Sequence, residues 1–192
     1  MLNLATKSWY CRYENQELAS ADLIVDLSHA LCEAYGIECL DNHLQIILSE
    51  ILTNAIDHGV LGLDSKIKDG VNGLDEYIRE RQQRLDELNN GWVSVNAELT
   101  DNGVLQIAVE DSGNGFDFSE VYKNENVLCD YHLYGRGLLI VKNLCRSMMH
   151  LGNGNCIVVE YDLTPGSDEL TSDQSGSSES NNQDEITETE TV

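Results

Sequence analysis

The stretch that most constrains this chain runs from Leu44 to Gly59, LQIILSEILTNAIDHG. Its apolar residues Leu44, Ile47, Leu48, Ile51, Leu52 and Ala55 recur at steps of three and four. That spacing predicts a helix with one buried stripe, spanning about residues 41–58. On such a helix Glu50 and Asn54 stack on one face, with Asp57 and His58 one turn further on. Two carboxylates, a carboxamide and an imidazole then lie along one edge of an otherwise apolar helix. Gly59 is expected to adopt the left-handed conformation that ends it. A solvated polar face on a packed helix would give the same pattern, so the rest of the chain has to decide.

The whole chain has 192 residues, enough for one domain with a sizeable core plus appendages. Eleven Lys and Arg against 34 Asp and Glu leave a formal net charge of -23. Nucleic acid and anionic membrane surfaces need clustered basic residues, and this balance argues against both. No apolar run reaches transmembrane length, and the N-terminus carries no basic segment followed by an apolar one. Cys11, Cys32, Cys39, Cys129, Cys145 and Cys156 form no CxxC pair, so they are read as reduced thiols of a cytoplasmic protein. Cys129 and His132 have a metal-compatible spacing but lack the two further ligands a zinc site needs.

The segment SWYCRY at 8–13 reads as a first strand, and 17–35 as an amphipathic helix ending at Gly36. Residues 61–91 are an insertion: a glycine-bearing loop, then a charged helix over 74–89 with Leu74, Ile78, Leu85 and Leu88 roughly on one stripe. A helix lying on its own domain is expected there, with a docking surface for a partner or a second copy as the alternative. WVSVNAEL at 92–99 and VLQIAVE at 104–110 alternate apolar and polar around the turn TDNG, which predicts a hairpin. Its second strand runs into DSGNGF at 111–116. Residues 117–134 are polar and aperiodic; GRG at 135–137 then opens a short apolar helix over 138–144. Residues 147–151 and 156–163 read as a closing hairpin. From 165 to 192 the chain holds eight acidic residues and no basic ones, a composition that predicts a disordered tail.

In order, the chain offers ExxxNAxDHG on a helix, DSGNGF after the central hairpin and GRGL at a helix start. This ordered set resembles the nucleotide site of the GHKL ATPase superfamily (gyrase, Hsp90, histidine kinases, MutL), over nearly the whole folded part, residues 1–164. The resemblance implies the Bergerat ATP-binding fold, a two-layer α/β sandwich whose mixed, mainly antiparallel sheet carries helices on one face. It also implies ATP and Mg2+ as cofactors. Asn54 would ligate Mg2+ through its carboxamide oxygen. Glu50 would be the catalytic residue, acting on the group that attacks the terminal phosphate. Asp111 would accept from the adenine amine. Gly113 and Gly115 would let the backbone approach the base with positive φ, with Phe116 beside them. Gly135, Arg136, Gly137 and Leu138 would present a helix N-terminus and one cation to the phosphates. Asp57 and His58 would complete the set of ATP-binding residues, His58 facing the phosphates and Asp57 either joining it there or simply orienting a neighbour. Residues 117–134 would form a lid.

Within the superfamily, the compact layout and the wording TNAIDHG are similar to the anti-sigma-factor serine kinases of the RsbW and SpoIIAB type. That likeness implies an ATP- and Mg-dependent serine/threonine protein kinase acting on a STAS-domain anti-anti-sigma protein, with a sigma factor as a second partner and a homodimer as an assembly. The alternatives are a non-catalytic, ATP-gated partner-binding switch, or a histidine-kinase catalytic fragment. The long insertion is similar to versions fused behind receiver and phosphatase domains, which would make this chain part of a larger regulator.

Overall fold

The computed structural model of the chain describes residues 7–38, 42–118 and 136–163. Five strands make one sheet: β1 (Lys7–Glu14), β2 (Trp92–Leu99), β3 (Val104–Asp111), β4 (Ser147–Leu151) and β5 (Cys156–Asp162). Their order is β1-β2-β3-β5-β4, and every described pairing is antiparallel. The helices are α1 (Leu23–Tyr35), α2 (Asn42–Thr53), α3 (Gly73–Asp86) and α4 (Gly137–Leu144). This is the α/β sandwich that the motif order implies, its sheet antiparallel at every pairing among the described residues.

Strand alternation decides which face of the sheet the helices cover. Register places Val95 beside Val109 and Val109 beside Ile157; one step along, Ala97, Ile107 and Val159 line up. These six share a face and belong to the same core as Leu27, Leu31, Leu44, Ile47, Leu48 and Leu52 from the helices. The α2 stripe is buried as its spacing requires, with Leu44, Ile47, Leu48 and Leu52 fully enclosed. On the opposite face Tyr10 is 61% exposed and Asn96 and Glu110 face solvent. The β2–β3 hairpin closes as its sequence predicts, with Gly103 at φ +76° and the Thr100 amide donating to the Val104 carbonyl at 2.9 Å.

Three local expectations are corrected. The first helix is not continuous from 17: a 3-10 turn, Asn15–Ala19, ends at Ser20 in an extended conformation (ψ 127°), and α1 starts at Leu23. The early turn sends Leu18 into the core, and the Gln16 amide reaches the Leu85 carbonyl at 3.2 Å. The buried stripe of α3 contains Tyr77 and Leu85, whereas Leu74 and Ile78 are 55% and 56% exposed. Its phase is set by polar anchors: Tyr77 and Arg81 grip Asp57, and Arg84 donates to the carbonyls of Leu61 and Gly62. The helix therefore lies on its own domain.

The third correction concerns the organising helix. After Thr53 it does not continue as an α-helix but widens into a π-helical turn, Asn54–Val60, with the Leu61 amide donating to the Ile56 carbonyl at 2.8 Å. Gly59 lies inside this turn and has no positive φ; the first left-handed glycine after it is Gly62, at φ +60°. Gly36 does cap α1 in the left-handed region, at φ +69°.

Candidate functional site

A cleft of about 300 Å³ opens between the α2 side and the end of the sheet. Of the residues expected in the site, Asn54, His58, Asp111, Gly115, Phe116 and Leu138 line it. Asp111 arrives there by strand alternation: Leu105, Ile107 and Val109 point to the helices, and Asp111 is the next residue in that series. It is 7% exposed. Burial is the first cause of a carboxyl pKa raised from 3.8 to about 6; the Gly113 amide, donating to Oδ1 at 2.8 Å, opposes the rise, and the charge of Glu110 adds to it. A carboxylate held at such cost inside an apolar cleft is an acceptor waiting for a donor.

Glycines let the backbone close around that carboxylate. A Cβ on Gly59 would overlap the Asp111 carboxylate, and one on Gly113 would overlap the Gly59 carbonyl. Gly59 is therefore needed for close approach of the π-helical turn to β3, not for chain reversal. Gly115 has the expected positive φ (+70°), while Gly113 does not. The turn after β3 is tied to the β4–β5 turn: Asn153 Nδ2 donates to the Asn114 carbonyl at 2.7 Å, and Asn155 Nδ2 to the Asp111 carbonyl at 3.0 Å.

The third motif meets the first. A Cβ on Gly137, the first residue of α4, would overlap Glu50 Oε2 and lie 3.7 Å from Asn54 Nδ2. Glu50 and Asn54 thus face the N-terminus of α4, where amide groups without intrahelical partners favour anions. Arg136 occupies the N-cap position there and is exposed. Gly135 and nearly all of the expected lid, 119–134, lie outside the described residues, as do Cys129 and His132 and the acidic tail.

Asp57 departs from the expectation. It is 3% exposed and turned toward α3, where Tyr77 Oη donates to Oδ2 at 2.9 Å and Arg81 Nε to Oδ1 at 2.7 Å. The spacing of an ideal helix puts Asp57 on the edge shared by Asn54 and His58. The wider π winding carries it round toward the insertion. His58 stays at the cleft, its Nδ1 donating to the Leu63 carbonyl at 2.7 Å and its Nε2 3.2 Å from Ser65 Oγ.

The sequence reading missed His150, Asn155 and Cys156, which complete the cleft wall. His150 is in register with Ile157 on the covered face of the sheet. Burial lowers its pKa. Phe116 meets the His150 ring edge-on at 5.2 Å, and Phe118 stacks on it at 5.7 Å. A signal for it was present in β4, SMMHL, where alternation puts Met148 and His150 on one face.

A five-stranded antiparallel sheet with helices on one face, a buried acidic residue at the end of the central hairpin and a short helix aimed at a Glu/Asn pair define a class. The family model for histidine kinase-, DNA gyrase B- and HSP90-like ATPases matches residues 39–178, well over half of the chain, and the chain belongs to that family. No curated protein matches the chain. β1 and α1 precede the matched region yet pair and pack with it. Among the described residues, no helix is long and apolar enough to cross a membrane, and no group of three or more His, Cys, Asp or Glu could hold a metal.

Proposed function

We propose that the cleft binds ATP with Mg2+ and that the chain is a serine/threonine protein kinase of the anti-sigma-factor type, acting on a STAS-domain protein. The observation that carries the nucleotide reading is the convergence of three separate motifs on one cleft. Asp111 is an acceptor at its inner end, Gly137 opens a helix N-terminus at its other side, and Glu50 and Asn54 stand against that glycine.

The residues fit the ligands. The apolar walls, Ile51, Val109, Leu138 and Ile157, suit a flat base, and Asp111 would accept from the 6-amine of adenine, where guanine held in the same pose presents a carbonyl. Mg2+ takes oxygen ligands and retains waters, so the single carboxamide oxygen of Asn54 together with phosphate oxygens is a sufficient donor set; no cage of carboxylates is required. Bound there, the metal would neutralise phosphate charge. The amides opening α4, with Arg136, would bind the phosphates, and His58 would take the remaining side. Glu50 would accept the proton of an attacking hydroxyl. The compact layout around a single sheet and the wording TNAIDHG support a partner-switching regulator, with the cytoplasm as its proposed compartment, alone or within a longer chain.

Titration of the purified protein with Mg-ATP, together with a phosphotransfer assay on a STAS-domain protein, tests both parts. Asn54→Ala should weaken Mg-ATP binding and lose transfer with it. Glu50→Ala should keep binding, while transfer falls by about 10²–10⁴-fold, the usual contribution of a positioned general base. A wild-type protein that binds both ATP and the partner yet transfers nothing would make the chain an ATP-gated switch, not a kinase.

A further inference from the structure

Asp57 is a buried carboxylate next to His58 and three residues from Asn54, and the cleft makes no use of it. Both its oxygens are held by one helix of the 61–91 insertion, through Tyr77 and Arg81. The same insertion holds His58 through the Leu63 carbonyl and Ser65. The Leu63 amide donates to the Asp57 carbonyl at 2.8 Å, and Arg84 fixes the carbonyls of Leu61 and Gly62. Both polar side chains of the π-helical turn other than Asn54 are therefore anchored outside it, in the insertion. A π turn is rare and needs such help to persist against ordinary α winding, which would swing Asp57 back toward the Asn54 face. Lys68 lies 3.8 Å above the Tyr77 ring, and that ring is buried in the core, so α3 is seated firmly enough to serve as the anchor.

We infer that Tyr77 and Arg81 are positioning residues: by holding Asp57 they set the winding of Asn54–Val60, and so the direction in which Asn54 and His58 meet the metal and phosphates. The inference rests on the nucleotide reading above and assigns the insertion a role in that site. It makes an asymmetric demand. The base end of the cleft is built mainly from β3, the turn after it and the β4–β5 turn, and the π-helical turn reaches Asp111 there only through Gly59, so the base end should depend on α3 less than the phosphate end does.

The test compares Mg-ATP with adenosine, which reads the base end alone. Arg81→Ala is the obvious variant, but it strands a buried carboxylate and risks unfolding the protein. Tyr77→Phe removes one donor and keeps the ring; Asp57→Asn keeps the shape and removes the charge. Affinities for both ligands are measured by NMR titration, well below the Tm of each variant. Both variants should bind Mg-ATP about 3–10-fold more weakly, the loss expected from one misplaced polar contact, with a clearly smaller loss for adenosine. A merely structural role would lower Tm and leave the ratio of the two affinities alone. That unchanged ratio, or an equal loss for both ligands, overturns the inference. If the wild type binds neither ligand, the nucleotide reading itself fails; if it binds both and the variants match it, only the positioning role fails.

Discussion

Replacing Asp111 by Asn should make the protein more stable and functionally inert. In the folded chain its carboxyl pKa stands at about 6 against an ordinary 3.8. Each tenfold change in an ionisation constant is about 1.4 kcal/mol, so keeping Asp111 ionised near pH 7 costs the ligand-free fold about 3 kcal/mol. Asn removes the charge at nearly the same shape and still accepts from the Gly113 amide. Its new NH2 group is itself partly desolvated, on the order of 1 kcal/mol, leaving a net gain of about 2 kcal/mol. For a chain of this size that corresponds to a Tm rise of about 4–8 °C.

The sign has a pH signature. A folded-state pKa raised above the unfolded value penalises the ionised form, so the penalty is small near pH 4, grows with pH, and is complete above about pH 6. The advantage of Asp111→Asn should follow the same course: the penalty falls to about 0.5 kcal/mol near pH 4, below the NH2 desolvation cost, so the variant should there be slightly less stable than wild type, by about 0.5 kcal/mol. Nucleotide binding moves oppositely. With Oδ1 occupied by Gly113, the Asn NH2 would face the adenine amine, donor against donor, and binding should be lost. Wild-type affinity for ATP should itself fall as pH drops through about 6, because the protonated carboxyl accepts poorly. Thermal melts of both proteins from about pH 4 to pH 8, with and without Mg-ATP, make the comparison. A variant less stable than wild type near pH 7 without nucleotide would refute the account of Asp111 as a strained, ionised acceptor.

Three further outcomes are expected. Gly59→Ala forces a methyl against the Asp111 carboxylate and should cost about 1–3 kcal/mol in a chemical denaturation curve; a variant as stable as wild type means that approach is not tight. Leu48→Ala empties a fully enclosed core position and should cost about 2–5 kcal/mol by the same measurement, against an effect near zero for Ile78→Ala on the exposed side of α3. GTP should raise Tm far less than ATP, since a carboxylate facing the guanine carbonyl leaves two acceptors opposed, about 1–3 kcal/mol worse; equal stabilisation by both nucleotides would remove Asp111 from the base site.

What the sequence determined by itself was whatever depends on local periodicity. The three-and-four spacing from Leu44 to Ala55 requires a helix with one buried side, and that side is buried. Alternation in 92–99 and 104–110 builds the hairpin and delivers Asp111 to the covered face. The order of the three polar motifs is a property of the chain, and it pointed to the family that the 39–178 match establishes. Tertiary structure decided what depends on long-range contact. Asp57 turns from the cleft toward Tyr77 and Arg81, which lie some twenty residues further on in the insertion and hold both its oxygens, and the helix is widened at that point. Gly59, read as a helix stop, is a contact point for a strand end more than fifty residues away. His150, Asn155 and Cys156 enter the cleft through the pairing of β5 with β3 and β4. Periodicity fixes which side of an element is apolar; which polar groups meet across elements is set by register and winding, and those are settled only when the elements pack.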